Sequence, residues 1–495
     1  MTAGNDPAAR RAAPDRAATA IPHRRSPDST ASDEGGAALG PARGADVDER
    51  AAWAASGAMF LTGRPGGPLL HAPGGFVTRL RAVGDVLARS SAELGQRVEV
   101  DVLALLGERA ALAGLRRGGD VSCGGSARLL RTSDGWLAVN LPRPDDVDLL
   151  PAWLAGADLP SEPTRQLGMK AGPGTDLWAA VTAAVAAEAA APLAERAQLL
   201  GLPVASLPQG PPTVPVVTGL LGGLPVVGAR IGDGGRSRPG QPAGGDERGD
   251  ARPAERLDGL LVADLSSLWA GPLCTRLLQQ AGARVVKVES VHRPDGARFG
   301  PPAFFDLLHA GQEAVAVDFR HEQGRNDLRR LLEAADVVVE ASRPRALEQL
   351  GIVARTILAD AAGAGKGPRV WVSITGYGRA APGRDRVAFG DDAAAAGGLV
   401  VWDETGPCFL ADAVADPCAG IVAAAATLRA LSAGGRWLLD VSMRDVAAHL
   451  AGRNSGAVAV PAPDGFVAEP PRARAPSGRG PRLGEHTDSV LAGVK

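Results

Sequence analysis

The chain has few residues of the types that bind metals or form disulfides. Its 495 residues include four cysteines, Cys123, Cys274, Cys408 and Cys418, and no two of them have C-x-x-C spacing. This scatter indicates neither a zinc site nor a disulfide framework. The seven histidines include no H-x-x-x-H pair, so no metal site is predicted. A reduced, cytoplasmic setting fits this composition.

The chain also lacks an excess charge of either sign and a long apolar run. Its formal net charge is -2, which gives no electrostatic reason to expect nucleic acid or an anionic membrane as a partner. Met1 to Arg50 has no apolar segment of the kind found in secretory signals. The most apolar stretch, Leu177 to Leu193, is mostly alanine and contains Glu188, which is typical of a helix outside the membrane. We therefore expect neither nucleic acid nor membrane as a partner.

Three segments are rich in Gly, Pro, Arg, Asp or Ala and lack a periodic apolar pattern. They predict a disordered N-terminal tail (1–45), a disordered linker (232–256) and a disordered C-terminal tail (453–495). Two folded stretches remain, 46–231 and 257–452. With 45% hydrophobic residues the chain can bury large cores.

The second stretch begins with a pattern typical of a βαβ unit. A short apolar strand from Leu257 is followed by a helix that Gly271 and Pro272 open, and the next strand ends at Glu289. In open parallel sheets ligands bind beyond the carboxyl ends of the strands. Residues 266–270 and 287–298 are therefore placed where a ligand would bind. No G-x-G-x-x-G follows the first strand, which argues against NAD or FAD.

The same stretch resembles the family III CoA-transferases, which include formyl-CoA transferase, carnitine-CoA transferases and α-methylacyl-CoA racemase. The matching motifs are Asp264-Leu-Ser, Ala270-Gly-Pro, Gly282-Ala-Arg-Val-Val-Lys-Val-Glu289, Ala314-Val-Ala-Val-Asp318, Ala335-Asp-Val-Val-Val-Glu-Ala-Ser-Arg-Pro344, Leu347-Glu-Gln-Leu-Gly351, Val372-Ser-Ile-Thr-Gly-Tyr-Gly378 and Leu439-Asp-Val-Ser442. Each motif alone is weak, but their order and spacing are specific.

The resemblance implies an α/β fold, with a Rossmann-like parallel sheet, flanking helices and a smaller α+β domain. It implies an acyl-CoA and a carboxylic acid acceptor as the two substrates, with CoA as substrate and no permanently bound cofactor. Family members form interlocked homodimers, so a homodimer is one assembly that the resemblance suggests for this chain.

The family's middle segment is found twice in the sequence. Residues 54–59 correspond to 395–400, and 97–102 correspond to 436–441. The first stretch continues into a region similar to the family's glycine loop and small domain, while the second contains the family's N-terminal, CoA-binding half. The family order is therefore permuted, and we expect the two stretches to pack as one composite unit.

A family III transferase uses one aspartate as a nucleophile on the acyl-CoA thioester, and it forms a mixed anhydride. Counting back eight residues from Gly398 places Gly390 at that position, next to Asp391 and Asp392. Asp391 is the candidate, although one residue turns a helical side chain by about 100°. The alternative is that both aspartates only cap a helix.

Glu49 occupies the corresponding position of the first copy and is the second catalytic candidate. The alternative for Glu49 is a solvated charge that precedes a helix.

The resemblance also suggests the residues that bind CoA and the acyl group. Lys287, Arg298 and Arg343 are cationic candidates for the CoA phosphates, and each of them could instead form a surface ion pair. Gly124 and Gly125 match the mobile glycine loop, or form a plain hairpin turn. The other predicted CoA-binding positions are Trp269, Ala270 and Gly376.

Trp269 replaces the glutamine of formyl-CoA transferase, which argues against a formyl-sized or oxalate-like substrate. Three functions stay open. They are a CoA-transferase, an α-methylacyl-CoA racemase that needs an acid/base pair, and a non-catalytic CoA-binding protein that has lost its nucleophile. No histidine lies between Gly376 and Leu399, which disfavours the racemase.

Overall fold

The computed structural model describes residues 43–155, 175–209, 223–231, 256–452 and 466–494. The N-terminal tail predicted for 1–45 and the linker predicted for 232–256 fall almost entirely outside these ranges. The described residues from Gly44 onward belong to one compact unit. No helix among them is both long and apolar enough to cross a membrane.

The first stretch supplies helices and short strands. Its helices are α1 (Arg43–Ala55), α2 (Phe76–Glu93), α3 (Glu108–Ala113), α4 (Pro144–Asp148), α5 (Leu150–Trp153), α6 (Thr175–Ala186) and α7 (Ala190–Leu200). Its strands are β1 (Ala127–Arg131), β2 (Trp136–Asn140), β3 (Val204–Ser206) and β4 (Val227–Ile231). Strands β1, β2 and β3 form an antiparallel sheet that packs with α6 and α7, and the assignment of this part to a smaller α+β domain stays a prediction.

The second stretch alternates strands and helices. Its strands are β5 (Leu261–Asp264), β6 (Arg284–Ser290), β7 (Glu313–Val317), β8 (Val337–Glu340), β9 (Val370–Thr375), β10 (Val400–Asp403), β11 (Gly406–Phe409) and β12 (Arg436–Ser442). Its helices are α8 (Ala270–Gln280), α9 (Pro302–His309), α10 (Glu322–Ala334), α11 (Pro344–Glu348), α12 (Ala354–Ala364), α13 (Gly390–Ala396), α14 (Ala415–Ala433) and α15 (Met443–Ala451), and α16 (Thr487–Gly493) follows near the C-terminus.

Seven strands form the main sheet in the order β4-β12-β9-β8-β5-β6-β7. All neighbours are parallel except β4, which pairs antiparallel with β12 at the edge. The chain moves outward from β5 in one direction through β6 and β7, and in the other through β8, β9 and β12. This is the doubly wound order, and its switch point lies between β5 and β8. The predicted Rossmann-like sheet is confirmed.

The central strands are continuous apolar runs because helices cover both faces of the sheet. Val337, Val338 and Val339 of β8 are each at most 1% exposed. The two folded stretches share the largest core, in which Trp53 and Phe76 of the first stretch join the same cluster as Ile421 of α14. Helix α14 packs between α2 and α8, and it is apolar on all sides because it is buried on all sides.

The two copies of the repeat differ in structure. Residues 436–441 lie in β12, whereas 97–102 lie in no strand. The amide of Val98 binds Oγ of Ser91 instead of a neighbouring strand, and the edge beside β12 is occupied by β4. The interpretation of a duplicated, permuted family order stays a prediction.

The prediction of a disordered tail over 453–495 is wrong for residues 466–494. Pro471 lies against Gly57 and Gly107, where a side chain on Gly57 would come within 2.4 Å of the Pro471 Cα. Arg474 forms a bidentate pair with Glu108, and Val490 is 2% exposed in the core under the sheet. The segment is ordered by these separate contacts, which its Gly, Pro and Arg content does not reveal.

Candidate functional site

Two adjacent carboxylates open α13, and their side chains bind different partners. Asp392 accepts hydrogen bonds from the amide of Phe389 at 3.0 Å and from Nδ2 of Asn140 at 2.9 Å. Asp391 instead accepts a hydrogen bond from the amide of Ala413 at 3.1 Å. Asp392 therefore caps the helix, while Asp391 lies against the loop between β11 and α14.

Gly390 has no room for a side chain. A Cβ atom built on Gly390 would lie 2.3 Å from the carbonyl oxygen of Ala413 and 2.6 Å from Oδ2 of Asp416. The amide of Gly390 also donates a hydrogen bond to Asp416. The carboxylate of Asp416 therefore lies where a side chain at position 390 would begin.

Arg109, from α3 of the first stretch, is bound by Asp412. Its Nε donates to Oδ2 of Asp412 at 2.8 Å, and a second nitrogen donates to Oδ1. The Asp412 side chain is fully buried, whereas that of Arg109 is 31% exposed. This bidentate pair joins the two stretches of the chain at the carboxylate cluster.

The loop that carries Asp412 has a strained backbone. Ala411 has φ 51° and Ala413 has φ 44°, in the left-handed region that alanine rarely adopts. The strain places the Ala413 amide against Asp391 and the Asp412 carboxylate against Arg109. Backbone strain of this kind is found most often at functional sites.

Burial raises the pKa of Asp391 to about 6, and the negative charge of Asp412 adds to the increase. The positive charge of Arg109 opposes it, as do hydrogen bonds from the Ala413 amide and from the side chain of Ser122. The Ser122 contact links Asp391 to the turn that contains Gly124 and Gly125.

Burial likewise raises the pKa of Asp416 to about 7. Arg109 opposes this increase, while the charges of Asp391 and Asp412 contribute to it. Near neutral pH the cluster can therefore hold one proton that Asp391 and Asp416 compete for. Carboxylates with pKa values near the working pH are suited to acid, base or nucleophilic chemistry.

Trp269 packs against this cluster from the switch point of the sheet. The guanidinium carbon of Arg109 lies 5.6 Å from the centre of its ring, and Phe304 meets the ring edge-on at 5.5 Å. Trp269 is 2% exposed, and its indole N–H has no hydrogen-bond partner in the described part of the chain. Ala270, the first residue of α8, is buried beside α14, where a side chain on Gly420 would come within 2.6 Å of the Ala270 carbonyl oxygen.

Gly124 and Gly125 form a turn ahead of β1. The amide of Gly125 donates to the carbonyl of Ser122 at 2.8 Å, and Gly125 has φ 80° with no atom of the described residues within 4 Å of its Cβ position. Gly124 is exposed, and a Cβ there would lie 3.5 Å from a terminal nitrogen of Arg109. The turn is part of a hairpin, and it lies beside the candidate site.

Two of the three predicted phosphate-binding cations are already paired. Lys287 is fully buried, and its Nζ lies 2.8 Å from Oδ2 of Asp295 and 3.0 Å from the carbonyl of Ser266. Arg298 forms a bidentate pair with Glu289 and also donates to the carbonyl of Pro481. Both contacts favour the structural alternative for these two residues.

Arg343 is in a different electrostatic setting. It follows β8 at the switch point, and its pKa is lowered by burial and by the neighbouring charges of Arg345, Arg143 and Arg293, with Asp385 opposing. The arginine side chains near Arg343 make this edge positive, which suits a phosphate ligand. Gly376 lies at the end of β9, where a side chain would come within 2.7 Å of Ala388, so close packing also accounts for this glycine.

Glu49 lies at the N-terminus of α2. Its carboxylate accepts hydrogen bonds from the amides of Thr78 at 2.8 Å and Gly75 at 3.3 Å. Glu49 therefore satisfies donors that the first turn of this helix leaves unpaired. These contacts supply a structural role that does not involve the Arg109 cluster.

Sequence reasoning missed Arg109, Asp412 and Asp416. Asp412 precedes a long apolar helix and Asp416 lies in its first turn, and this pattern could have been noted in the sequence. Arg109 carries no local signal, because only the packing of α3 brings it to the site. No group of three or more His, Cys, Asp or Glu side chains in the described ranges is arranged to hold a metal ion.

Comparisons with known proteins match part of this chain. Residues 257–477 match CoA-transferase family III. An acyl-CoA transferase of Fusarium pseudograminearum is 33% identical over 169 residues, which are 30% of this chain and 36% of that protein. A (R)-2-hydroxy-4-methylpentanoate CoA-transferase of Clostridioides difficile is 32% identical over 189 residues, which are 35% of this chain and 46% of that protein.

A crystal structure of a CAIB/BAIF family protein from Brucella suis is similar at 29% identity and a TM-score of 0.35, covering 39% of this chain and 54% of that one. The chain thus spans about half or less of the length of the relatives it matches. The motifs that carry the resemblance, from Asp264 to Ser442, all lie within the stretch that matches the family. Residues 257–477 of this chain therefore match CoA-transferase family III.

Proposed function

We propose that this chain is an acyl-CoA:carboxylate CoA-transferase that works through an enzyme carboxylate. The observation that carries the proposal is the group of three carboxylates, Asp391, Asp412 and Asp416, around Arg109. Two of these have pKa values raised toward neutrality, and the glycine turn and Trp269 lie next to the group. CoA and its thioesters are substrates in this proposal.

The reaction proceeds in balanced steps. A carboxylate oxygen attacks the thioester carbon, the C–S bond breaks, and the CoA thiolate leaves with the electron pair. The thiolate then attacks the enzyme's own carbonyl in the mixed anhydride, which releases the donor acid. The acceptor acid repeats both steps in reverse and leaves as the new acyl-CoA. Asp391, the candidate from the sequence, is one of the carboxylates available for this role.

Arg343 is the cation that best fits the CoA phosphates, with Arg293 nearby. The support is its place after β8 and the positive charges around it, among which Arg143 is itself paired with Asp146. Lys287 and Arg298 contribute indirectly in this proposal, because their ion pairs hold the loop that follows β6. Trp269 and Ala270 border the acyl end, and Gly376 stays a predicted contact.

The glycine turn at 124–125 serves as the mobile element over the reacting centre. It is supported by the exposure of Gly124 and by the free space around Gly125. We further propose a permuted subunit with a duplicated middle segment, a cytoplasmic location and a homodimer as its assembly. Glu49 is assigned to capping α2.

A second candidate function is proton exchange at the α-carbon of an acyl-CoA, the reaction of the racemases. The observation that favours it is the pair Asp391 and Asp416, whose pKa values lie near 6 and 7. One ionised and one protonated carboxylate form an acid/base pair without histidine. Incorporation of deuterium from heavy water into an acyl-CoA, without an acceptor acid, separates this reaction from CoA transfer.

The first test measures new acyl-CoA by mass spectrometry. The full chain is incubated with acetyl-, butyryl- or succinyl-CoA and a panel of carboxylic acids. The proposal expects a new thioester that depends on both substrates. No new thioester with any acid would refute the transferase, and binding of CoA without transfer would favour the non-catalytic binding protein.

A binding test addresses the CoA site separately by calorimetric titration. Arg343→Gln should weaken CoA binding by about tenfold, the effect of losing one charge-assisted phosphate contact. Arg355→Gln, an exposed arginine on α12, is the matched control and should bind CoA as the wild type does. Equal affinities for both variants would exclude Arg343 from the phosphate site.

A further inference from the structure

Position 390 is where the family places its reacting carboxylate, and this chain has glycine there. The space that such a side chain would enter is not empty. Oδ2 of Asp416 lies 2.6 Å from the Cβ position of Gly390, and the Gly390 amide donates to the same carboxylate. A carboxylate is therefore present at this position, and it comes from α14 instead of α13.

The three carboxylates of the cluster differ in availability. Asp412 is fully buried and held by two hydrogen bonds from Arg109. Asp391 is 6% exposed, and the Ala413 amide and Ser122 bind it. Asp416 keeps intermediate exposure and lies in the first turn of α14. Asp416 is thus the most exposed residue of the three.

A separate observation concerns Trp269, whose ring packs on Arg109 of the cluster. The indole N–H of Trp269 has no partner among the described residues, although the side chain is almost fully buried. An unpaired buried donor costs free energy that a ligand oxygen recovers when it binds. Gly420, one turn after Asp416, packs on the Ala270 carbonyl, so α14 holds Asp416 in a fixed position relative to Trp269.

We propose that Asp416 is the catalytic nucleophile of this chain and takes the place of the side chain absent at Gly390. An Oδ atom of Asp416 attacks the acyl carbon, and the CoA thiolate leaves with the C–S electron pair. The indole N–H of Trp269 binds the carbonyl oxygen of the acyl group. Asp391 and Arg109 set the charge around Asp416 without forming the covalent bond. The assignment rests on the proposed CoA-transferase function.

Trapping with hydroxylamine tests the assignment directly. The full chain is mixed with the acyl-CoA that is active in the transfer assay, and hydroxylamine is added. Attack on the enzyme's carbonyl converts the reacting aspartate to a hydroxamate, which peptide mass spectrometry locates. The expected result is a hydroxamate on Asp416 in the wild type and none in Asp416→Asn, whose transfer rate falls by about 1,000-fold or more.

Two further variants keep the test decisive. Asp391→Asn should react more slowly but still form the hydroxamate on Asp416. Asp416→Glu retains a carboxylate and should recover part of the rate, which shows that a loss in Asp416→Asn is not a loss of folding. Asp360→Asn, an exposed aspartate on α12, is the control and should match the wild type.

The outcomes separate the two proposals. Transfer activity with the hydroxamate on Asp391, or an Asp416→Asn variant with more than about a tenth of wild-type activity, overturns the assignment and leaves the CoA-transferase function standing. A wild type that binds CoA but forms neither hydroxamate nor new thioester overturns the function, and the assignment with it.

Discussion

The ion pair between Arg109 and Asp412 should be a major source of stability at the junction of the two stretches. Arg109→Gln leaves the Asp412 carboxylate fully buried without its cation. Removing one partner of a buried pair costs about 3–5 kcal/mol. Because the Arg109 side chain is 31% exposed, water can reach the pair, and we expect a loss near 3 kcal/mol in the free energy of unfolding.

Urea unfolding followed by circular dichroism measures this loss, and the double variant Arg109→Gln/Asp412→Asn is the control. The double variant removes both charges with similar volumes, so it should recover most of the stability. A loss below about 1 kcal/mol for Arg109→Gln would refute the reasoning. A double variant as unstable as the single one would refute it too, because the cost would then come from lost packing.

Four further results follow from the structure. Gly390→Ala should lose about 1–3 kcal/mol of stability, since its Cβ would overlap the Ala413 carbonyl; unchanged unfolding would mean that the loop yields easily. Glu49→Ala should lose about 1 kcal/mol because α2 loses its cap, and a stability equal to wild type would exclude the cap. Arg474→Gln should lose about 1.5–3 kcal/mol because Glu108 is buried, and limited proteolysis should then cut within 466–482. Asp416→Asn should gain stability over the wild type as pH rises from about 4 to about 7, by at most about 1.4 kcal/mol per pH unit, and the difference should level off above that. The sign follows from the raised pKa of Asp416, whose stabilising contribution is lost as pH rises through about 7. A stability difference between variant and wild type that does not change with pH would contradict burial as the cause of the raised pKa.

The sequence was sufficient where local pattern and final structure agree. The strand, helix and strand between Leu257 and Glu289 were predictable, because apolar periodicity, Pro272 and Gly282 mark the same boundaries that packing selects. The placement of Asp391 near the glycine turn depended on the family resemblance. The tail was predicted wrongly because its order comes from widely spaced contacts, such as Arg474 with Glu108, instead of from a continuous apolar face.

The carboxylate cluster could not have been assembled from the sequence. Arg109 is 303 positions from Asp412, and the two meet only because α3 packs near the start of α14. The direction of the Asp412 carboxylate depends on the left-handed backbone at Ala411 and Ala413, a conformation that alanine rarely adopts and that the sequence therefore does not predict. Local sequence does not predict the conformation of this loop, because tertiary contacts override the local backbone preference. Such overridden positions are often found at functional sites.

The same strain bears on whether the chain is a CoA-binding protein that has lost its chemistry. Binding of the CoA phosphates requires cations such as Arg343, and it requires no buried carboxylate. Burying Asp391 and Asp412 and holding two alanines in the left-handed region each costs free energy of order 1–3 kcal/mol. A pocket that only binds CoA would become more stable by losing these features. Their presence together, beside the unpaired indole N–H of Trp269, favours a site in which a carboxylate reacts.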